Sequence, residues 1–254
     1  MSYTYEHLLV EKENEILTIT MNRPEVGNAV NGVMHTELAR VFSDVRSDSA
    51  KVIVLTGAGE SFCETGDMDW FAHIDREEWL LTVRQVRWII KDMMTIEQPL
   101  LVKLNGRDLG VGTSMALAGD LIYASDRAKL GDPHVLFGIA TGDGAAALLP
   151  NMVSLTKAKE MLFFGLDYTG QDLFDMGIAN EVVPHDSLDE VVDEAARKLA
   201  EQPRDALRWT KLILNKWAEV GLGNVFDMAV AFEGWSWESP EYKSALAAYL
   251  ERGK

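Results

Sequence analysis

The sequence predicts an α/β fold with a helical C-terminal segment, and three observations carry that prediction. Strand-like and helix-like segments alternate up to about residue 195, and beyond it the pattern is helical only. Two short apolar runs, Val52–Thr56 and Leu100–Leu104, lack a polar face and end in glycine-rich loops, as strands covered on both sides do. Between the runs, apolar residues recur at helical spacing. The 254 residues are enough for one large domain, or one domain with a small appendage. The division falls into a core over 1–195 and a helical region over 196–254.

Each element has its own warrant. His7–Glu11 and Glu15–Met21 alternate apolar and polar around Lys12-Glu13-Asn14, which reads as a β-hairpin. Asn31 is a candidate N-cap, followed by the stripe Met34, Leu38, Val41, Phe42 and Val45. Arg76–Thr95 aligns Val83, Val86, Ile90 and Met93 on one helix face, and Pro99 ends that region. Val111–Ala118 is a helix of mostly small residues, leading into the strand Leu121–Ala124. Helical starts follow at Gly142–Leu149 and Lys157–Phe164, and Asn180–Val183 is a short strand before Pro184. The tail reads as four helices: Leu188–Glu201, Arg204–Val220, Gly223–Trp235 and Pro240–Arg252. No fixed-period repeat or low-complexity segment is visible.

Composition narrows the functional classes. With 47% hydrophobic and 25% charged residues the chain reads as an ordinary soluble globular protein. A formal charge of −16 argues against nucleic acid as a partner, because phosphate recognition rests on Lys and Arg. The same charge requires local groups to hold any anionic ligand. No apolar run reaches membrane-spanning length, and Met1–His7 lacks a basic start and an apolar signal core. Cys63 is the single cysteine, so no intrachain disulfide can form, and a cytoplasmic location is expected.

Three features could carry chemistry. The loops Gly57–Asp67 and Asn105–Gly112 can aim backbone N–H groups at a developing oxyanion, or can be plain strand-to-helix connections. Neither has the lysine of a phosphate loop or the spacing of a dinucleotide site. His134 and Asp143 lie nine positions apart among glycines and offer a base and a carboxylate for proton transfer near neutral pH. Asp143 reads equally as the N-cap of the following helix, and His134 as a structural histidine. Glu233 sits in the apolar segment Ala229–Trp235, where a carboxylate is exposed on one face, partnered, or turned to a pocket with a raised pKa. His7, His35, His73 and His185 receive no role. No His, Cys, Asp or Glu cluster has metal-ligand spacing, and Cys63 reads as a small buried residue. The seven tryptophans read as packing.

An ordered set of motifs then resembles the crotonase (enoyl-CoA hydratase/isomerase) superfamily. It begins with Asn22-Arg23-Pro24-Glu25, Asn28-Ala29 and Val54-Leu55-Thr56-Gly57, and continues with Phe62-Cys63, Gly66-Asp67 and Gly110-Val111-Gly112. Asp120, Phe137-Gly138-Ile139, Leu162–Gly165 and Met176–Val183 complete it. The resemblance implies a spiral of repeated ββα units with a helical C-terminal trimerisation region, assembled as a homotrimer or a dimer of trimers. It implies an acyl-CoA thioester as substrate, with coenzyme A part of that substrate and no permanently bound cofactor. The thioester carbonyl would rest between the N–H groups of Gly66 and Val111. Arg23 and Ala29 fall where the family contacts CoA, which would ease the charge problem locally; Thr65 and Asp67 flank the oxyanion position.

The departures are specific. The two glutamates of true hydratases align with Ser114 and His134. Thr65 stands where glycine is usual, and Asp69 where lysine is common. Asp143 falls where chlorobenzoyl-CoA dehalogenase carries its aspartate. Pro133-His134 with Gly142-Asp143-Gly144 and Glu233 resembles 6-oxocamphor hydrolase, although Ala29 and Val111 replace its ketone-holding residues. The expected activity is therefore hydration or isomerisation of an enoyl-CoA, with His134 oriented by Asp143. Hydrolytic C–C cleavage of a β-dicarbonyl compound, with Glu233 orienting water or His134, is the alternative, and a non-catalytic acyl-CoA-binding subunit is a third reading.

Overall fold

The computed structural model describes residues 3–252, so Met1 and Ser2 of the N-terminal reading lie outside the described residues. Strands β1 (Leu8–Glu13) and β2 (Ile16–Met21) form the expected antiparallel hairpin. Helix α1 (Gly32–Val45) starts where Asn31 accepts the Met34 amide at 3.0 Å, and it buries the full stripe named above.

A repeating step follows in which one strand joins a large sheet, the next joins a small sheet, and helices close the turn. The first step is β3 (Val52–Gly57), β4 (Ser61–Glu64), α2 (Met68–Phe71) and α3 (Arg76–Thr95). The second is β5 (Leu100–Leu104), β6 (Arg107–Leu109) and α4 (Val111–Leu117). The third is β7 (Leu121–Ser125), β8 (Lys129–Gly131), α5 (Ala145–Leu148) and α6 (Leu155–Phe164). Strand β9 (Asp167–Thr169), α7 (Gly170–Asp175) and β10 (Glu181–Val183) complete the sheets. The large sheet has order β1-β2-β3-β5-β7-β10 and the small one β4-β6-β8-β9. Among the described residues only the β1–β2 and β8–β9 pairs are antiparallel. This is the spiral of ββα units that the resemblance implied.

The small sheet corrects the reading of the glycine loops. Gly57–Asp67 contains β4 and Asn105–Gly112 contains β6, so each is a corner where the chain leaves one sheet for the other. Strands of three or four residues are too short to show alternation.

Strand β3 shows why its run is continuously apolar. Ile53 and Leu55 enter the main core, while Val52 and Val54 pack under α8 (Leu188–Ala200) with Leu188, Val192 and Ala196. Each such aliphatic side chain, fully buried, contributes about 1.5–3 kcal/mol. Helix α8 runs through residues 195 and 196 while covering the sheet. The remaining helices are α9 (Arg204–Gly221), α10 (Asp227–Ser236) and α11 (Pro240–Arg252). A π-helical stretch, Leu222–Phe226, joins α9 directly to α10 where the sequence suggested a break at the glycines. Among the described residues no helix is long and apolar enough to cross a membrane.

Candidate active site

One cavity gathers most of the residues singled out from the sequence. Thr65 and Gly66 line it from the β4–α2 corner, Val111 from the start of α4, and Pro133, His134 and Asp143 from the chain after β8. Glu233 of α10 and Tyr242 of α11 complete it, so the C-terminal helices contribute directly to the site. Arg23, Ala29 and Asp67 form a separate cluster. An Arg23 guanidinium nitrogen donates to the Ala29 carbonyl, and the other pairs with Asp67 at 3.1 Å. Asp67 also N-caps α2 through the Asp69 and Trp70 amides. Arg23 thus spends its charge on Asp67, a partner that sequence proximity could not reveal.

His134 stands at the centre of three carboxyl side chains. Asp132 accepts both the His134 backbone amide at 3.0 Å and the ring Nδ1–H at 2.6 Å, which fixes the tautomer and turns Nε2 into the cavity. Nε2 lies 3.7 Å from Asp143 and 3.8 Å from Glu233. The orienting carboxylate is therefore Asp132, and Asp143 faces the other nitrogen. The signal for Asp132 was its place two residues before His134, where an aspartate can hold the amide and the ring of the same residue.

Asp143 is not a cap. Helix α5 begins after Gly144 without a side-chain cap, and Asp143 accepts the Ser114 hydroxyl at 2.6 Å. Ser114 in turn accepts the Ala145 amide at 2.9 Å. Its hydroxyl therefore orients the carboxylate and leaves Asp143 Oδ2 unpartnered. Glu233 is buried rather than on an exposed face, with Oε2 also unpartnered. A Cβ on Gly142 would sit 2.5 Å from Glu233 Cβ, so the glycine is what lets α10 approach.

Electrostatics separates the roles. Burial pushes the Glu233 carboxyl up to about 8, against the opposing charge of His134 and with the help of Asp143 and Asp132. It is a neutral acid at pH 7. Burial lowers His134, but Asp132, Asp143 and Glu233 outweigh it and hold the imidazole well above its ordinary range. Burial raises Asp143, and the His134 charge and the Ser114 hydroxyl oppose that rise. Glu233 and Asp143 each stand within 4 Å of His134 Nε2, so the ring lies between the two carboxyl groups.

The fold also brings Asp132, His134 and Asp143 close enough to be considered for a metal, with one ligand atom from each within 4.8 Å. Two ligands of one ion at about 2.1 Å and at least a right angle apart would be about 3 Å or more from each other. The 2.6 Å contact between Asp132 and His134 Nδ1 is instead a hydrogen bond, and the group fits acid–base chemistry better. Farther below, Asp108 is fully buried with both carboxylate oxygens unpartnered, against Gly112 and near Cys63. Burial pushes both Asp108 and the Cys63 thiol well up.

Gly66 and Val111 line the same cavity. Thr65 has φ +70°, a left-handed conformation that a β-branched residue adopts only under constraint. In the bridge to Val30 the Thr65 carbonyl and the Asp67 amide make the bonds, which leaves the Gly66 N–H outside it. Val111 is the first residue of α4, so its N–H has no partner within the helix. Gly110, with φ +61°, brings the loops together: a Cβ there would lie 2.9 Å from Thr65 Oγ1 and 3.8 Å from the His134 ring.

Comparison with known proteins shows the family of the chain. Residues 11–254 match the family model described as enoyl-CoA hydratase/isomerase. A short-chain-enoyl-CoA hydratase from Clostridium acetobutylicum is 28% identical over 98% of this chain and 96% of its own. An enoyl-CoA hydratase/isomerase from Mycobacterium paratuberculosis superposes with a TM-score of 0.94 at 30% identity, covering 97% of this chain and all of the other. A β-diketone hydrolase from the cyanobacterium Anabaena, bound to (S)-3-oxocyclohexyl acetic acid, gives 0.84 at 27% identity, covering 92% and 94%.

Proposed function

The chain belongs to the enoyl-CoA hydratase/isomerase family, and we propose that it moves protons at an acyl-CoA thioester through His134, Asp143 and Glu233. The observation that carries the reading is Nε2 of a carboxylate-anchored histidine, 3.7 Å from Asp143 and 3.8 Å from a neutral glutamic acid, in a cavity lined by Gly66 and Val111. The thioester oxygen accepts from the amides of Gly66 and Val111, which stabilise the enolate as its charge develops. In hydration, water adds to the β-carbon and gives its proton to the His134–Asp143 edge, while Glu233 delivers a proton to the α-carbon. The edge then returns a proton to Glu233. In isomerisation the same pair removes one carbon-bound proton and replaces it at another position. Arg23, Ala29 and Asp67, of which Ala29 and Asp67 are next in sequence to the cavity residues Val30 and Gly66, serve as the CoA-binding cluster, and Thr65 holds the Gly66 amide in place.

Hydrolysis of a β-dicarbonyl compound is the second reading. The Asp132-anchored histidine and the β-diketone hydrolase similarity favour it, as does the resemblance of the His/Asp pair to 6-oxocamphor hydrolase. There the His134–Asp143 edge takes the proton of a water that attacks a carbonyl, and Glu233 protonates the departing carbanion. Incubation with crotonyl-CoA, a cinnamoyl-type enoyl-CoA and a cyclic β-diketone with and without CoA, read by mass spectrometry and NMR, separates the two. Water added across the double bond supports hydration. A new carboxylate with a broken C–C bond supports hydrolysis. Full activity in His134→Ala sinks both, and turnover that depends on Asp143 excludes a silent acyl-CoA-binding subunit.

The same reading includes assembly as a homotrimer or a dimer of trimers in the cytoplasm, with the region 196–254 at the interfaces. Trp209, Ile213 and Trp217 of α9 and Trp235 of α10 support it, since all are more than half exposed in the single chain.

A further inference from the structure

His35 lines the same cavity from α1 and is 4% exposed, and no role has been given to it so far. A chain of hydrogen bonds fixes where its proton lies. Thr36 donates its hydroxyl to the Gly32 carbonyl at 2.9 Å, so toward Gln85 it can only accept. The contact from Gln85 Nε2 at 3.1 Å is therefore a donation by the amide nitrogen. That orients the Gln85 carbonyl oxygen toward His35 Nδ1, 2.8 Å away, and Nδ1 must carry the hydrogen. Nε2 is then left with a lone pair and no partner among the described residues.

Burial keeps this ring uncharged. Desolvation lowers His35 to about 4, with the Gln85 bond opposing the fall. No cavity residue donates to Nε2: the indole N–H of Trp79, which lines the same cavity, makes no hydrogen bond among the described residues. Val30, Met68 and Phe71 are apolar, and Thr82 donates its hydroxyl to the Glu78 carbonyl at 2.9 Å.

We propose that His35 Nε2 is a fixed hydrogen-bond acceptor that selects acyl groups bearing a hydroxyl. The inference rests on the acyl-CoA reading for what occupies the cavity. A hydroxyl supplies the missing proton and fills the orphan acceptor. A plain alkyl group leaves that acceptor desolvated and unpaired, and an oxo group sets lone pairs against it. The protein thus discriminates at the acyl end by a group that takes no part in moving protons at the thioester.

Equilibrium binding of saturated thioesters tests this without turnover, so its outcome is independent of whether the hydration or hydrolysis reading survives. Calorimetry at pH 7.5 would compare hexanoyl-, 5-hydroxyhexanoyl- and 5-oxohexanoyl-CoA, with butyryl- against 4-hydroxybutyryl-CoA and 3-phenylpropanoyl- against 3-(4-hydroxyphenyl)propanoyl-CoA. The expected result is a hydroxyl preference of about tenfold in Kd in at least one pair, with the oxo compound the weakest of its trio. In His35→Phe the ratio collapses to within about twofold. In Gln85→Glu, whose carboxylate favours the imidazolium and makes Nε2 a donor, the order of hydroxyl and oxo compounds reverses. Circular dichroism checks that both variants are folded. Equal binding across every pair, a hydroxyl preference that survives in His35→Phe, or an unreversed order in folded Gln85→Glu overturns the proposal.

Discussion

Replacing Asp132 by Asn removes one negative charge from the His134 anchor while keeping its size. Asp132 accepts two bonds from His134, at 2.6 Å from Nδ1 and 3.0 Å from the backbone amide. The backbone bond survives the change in weakened form, since Asn keeps a carbonyl oxygen. The ring bond loses its charge assistance, and hydrogen bonds to charged groups are worth about 1.5–3 kcal/mol. At about 1.4 kcal/mol for each factor of ten, kcat falls by roughly ten- to a hundred-and-fifty-fold. The pH profile moves as well. Asp132 is the largest contribution raising His134, so in Asp132→Asn its pKa falls and the limb of the rate profile that reports it shifts to lower pH. Steady-state rates from pH 5.5 to 9.5 on whichever substrate the panel reveals give both quantities, with a thermal melt to confirm folding. A folded variant with kcat within twofold of the parent and an unmoved limb would refute the assignment of Asp132 as the anchor.

Three further outcomes follow from the same geometry. Glu233 has its folded pKa raised to about 8, so it is protonated when folded and ionised when unfolded over the interval from its ordinary value, 4.5, upward. Its burial therefore costs nothing below that interval and increasingly more as pH rises to 8. Glu233→Gln should raise Tm at pH 9 by more than at pH 5; an equal change at both, in paired thermal melts, contradicts the burial of an ionisable acid. Gly142→Ala places a methyl 2.5 Å from Glu233 Cβ and 2.7 Å from the Ala229 carbonyl oxygen, so α10 must retreat. Overpacking of this kind costs about 1–3 kcal/mol, and activity should drop by at least about tenfold as Glu233 leaves His134; an unchanged rate and melt would show that α10 tolerates the shift. Trp217, 77% exposed on α9, should be covered in the assembled protein. Trp217→Asp is expected to lower the sedimenting mass at micromolar concentration, and a parent that sediments as a monomer rules out the assembly.

The long elements were legible because their physics is local. The period of α1 and of Arg76–Thr95 follows from which face a helix must bury, and the apolar run of β3 and the mostly apolar β5, interrupted by Lys103, follow from cover on both sides. The motifs of the glycine corners and the His134–Asp143 spacing were likewise readable from order along the chain. The small sheet was not, since strands of three or four residues gain their identity only from the neighbours they pair with.

The sequence by itself determined the α/β spiral, the helical tail, the family, and the residue types that could perform acid–base chemistry. Tertiary structure alone decided which groups meet and in what protonation state. It put Asp132 rather than Asp143 on Nδ1, buried Glu233 against Gly142, paired Arg23 with Asp67, and turned His35 into a fixed acceptor through Gln85 and Thr36. A pKa or a tautomer depends on desolvation and on charges a few ångströms away, contributed by segments as much as 100 residues apart. No periodicity along the chain encodes those distances.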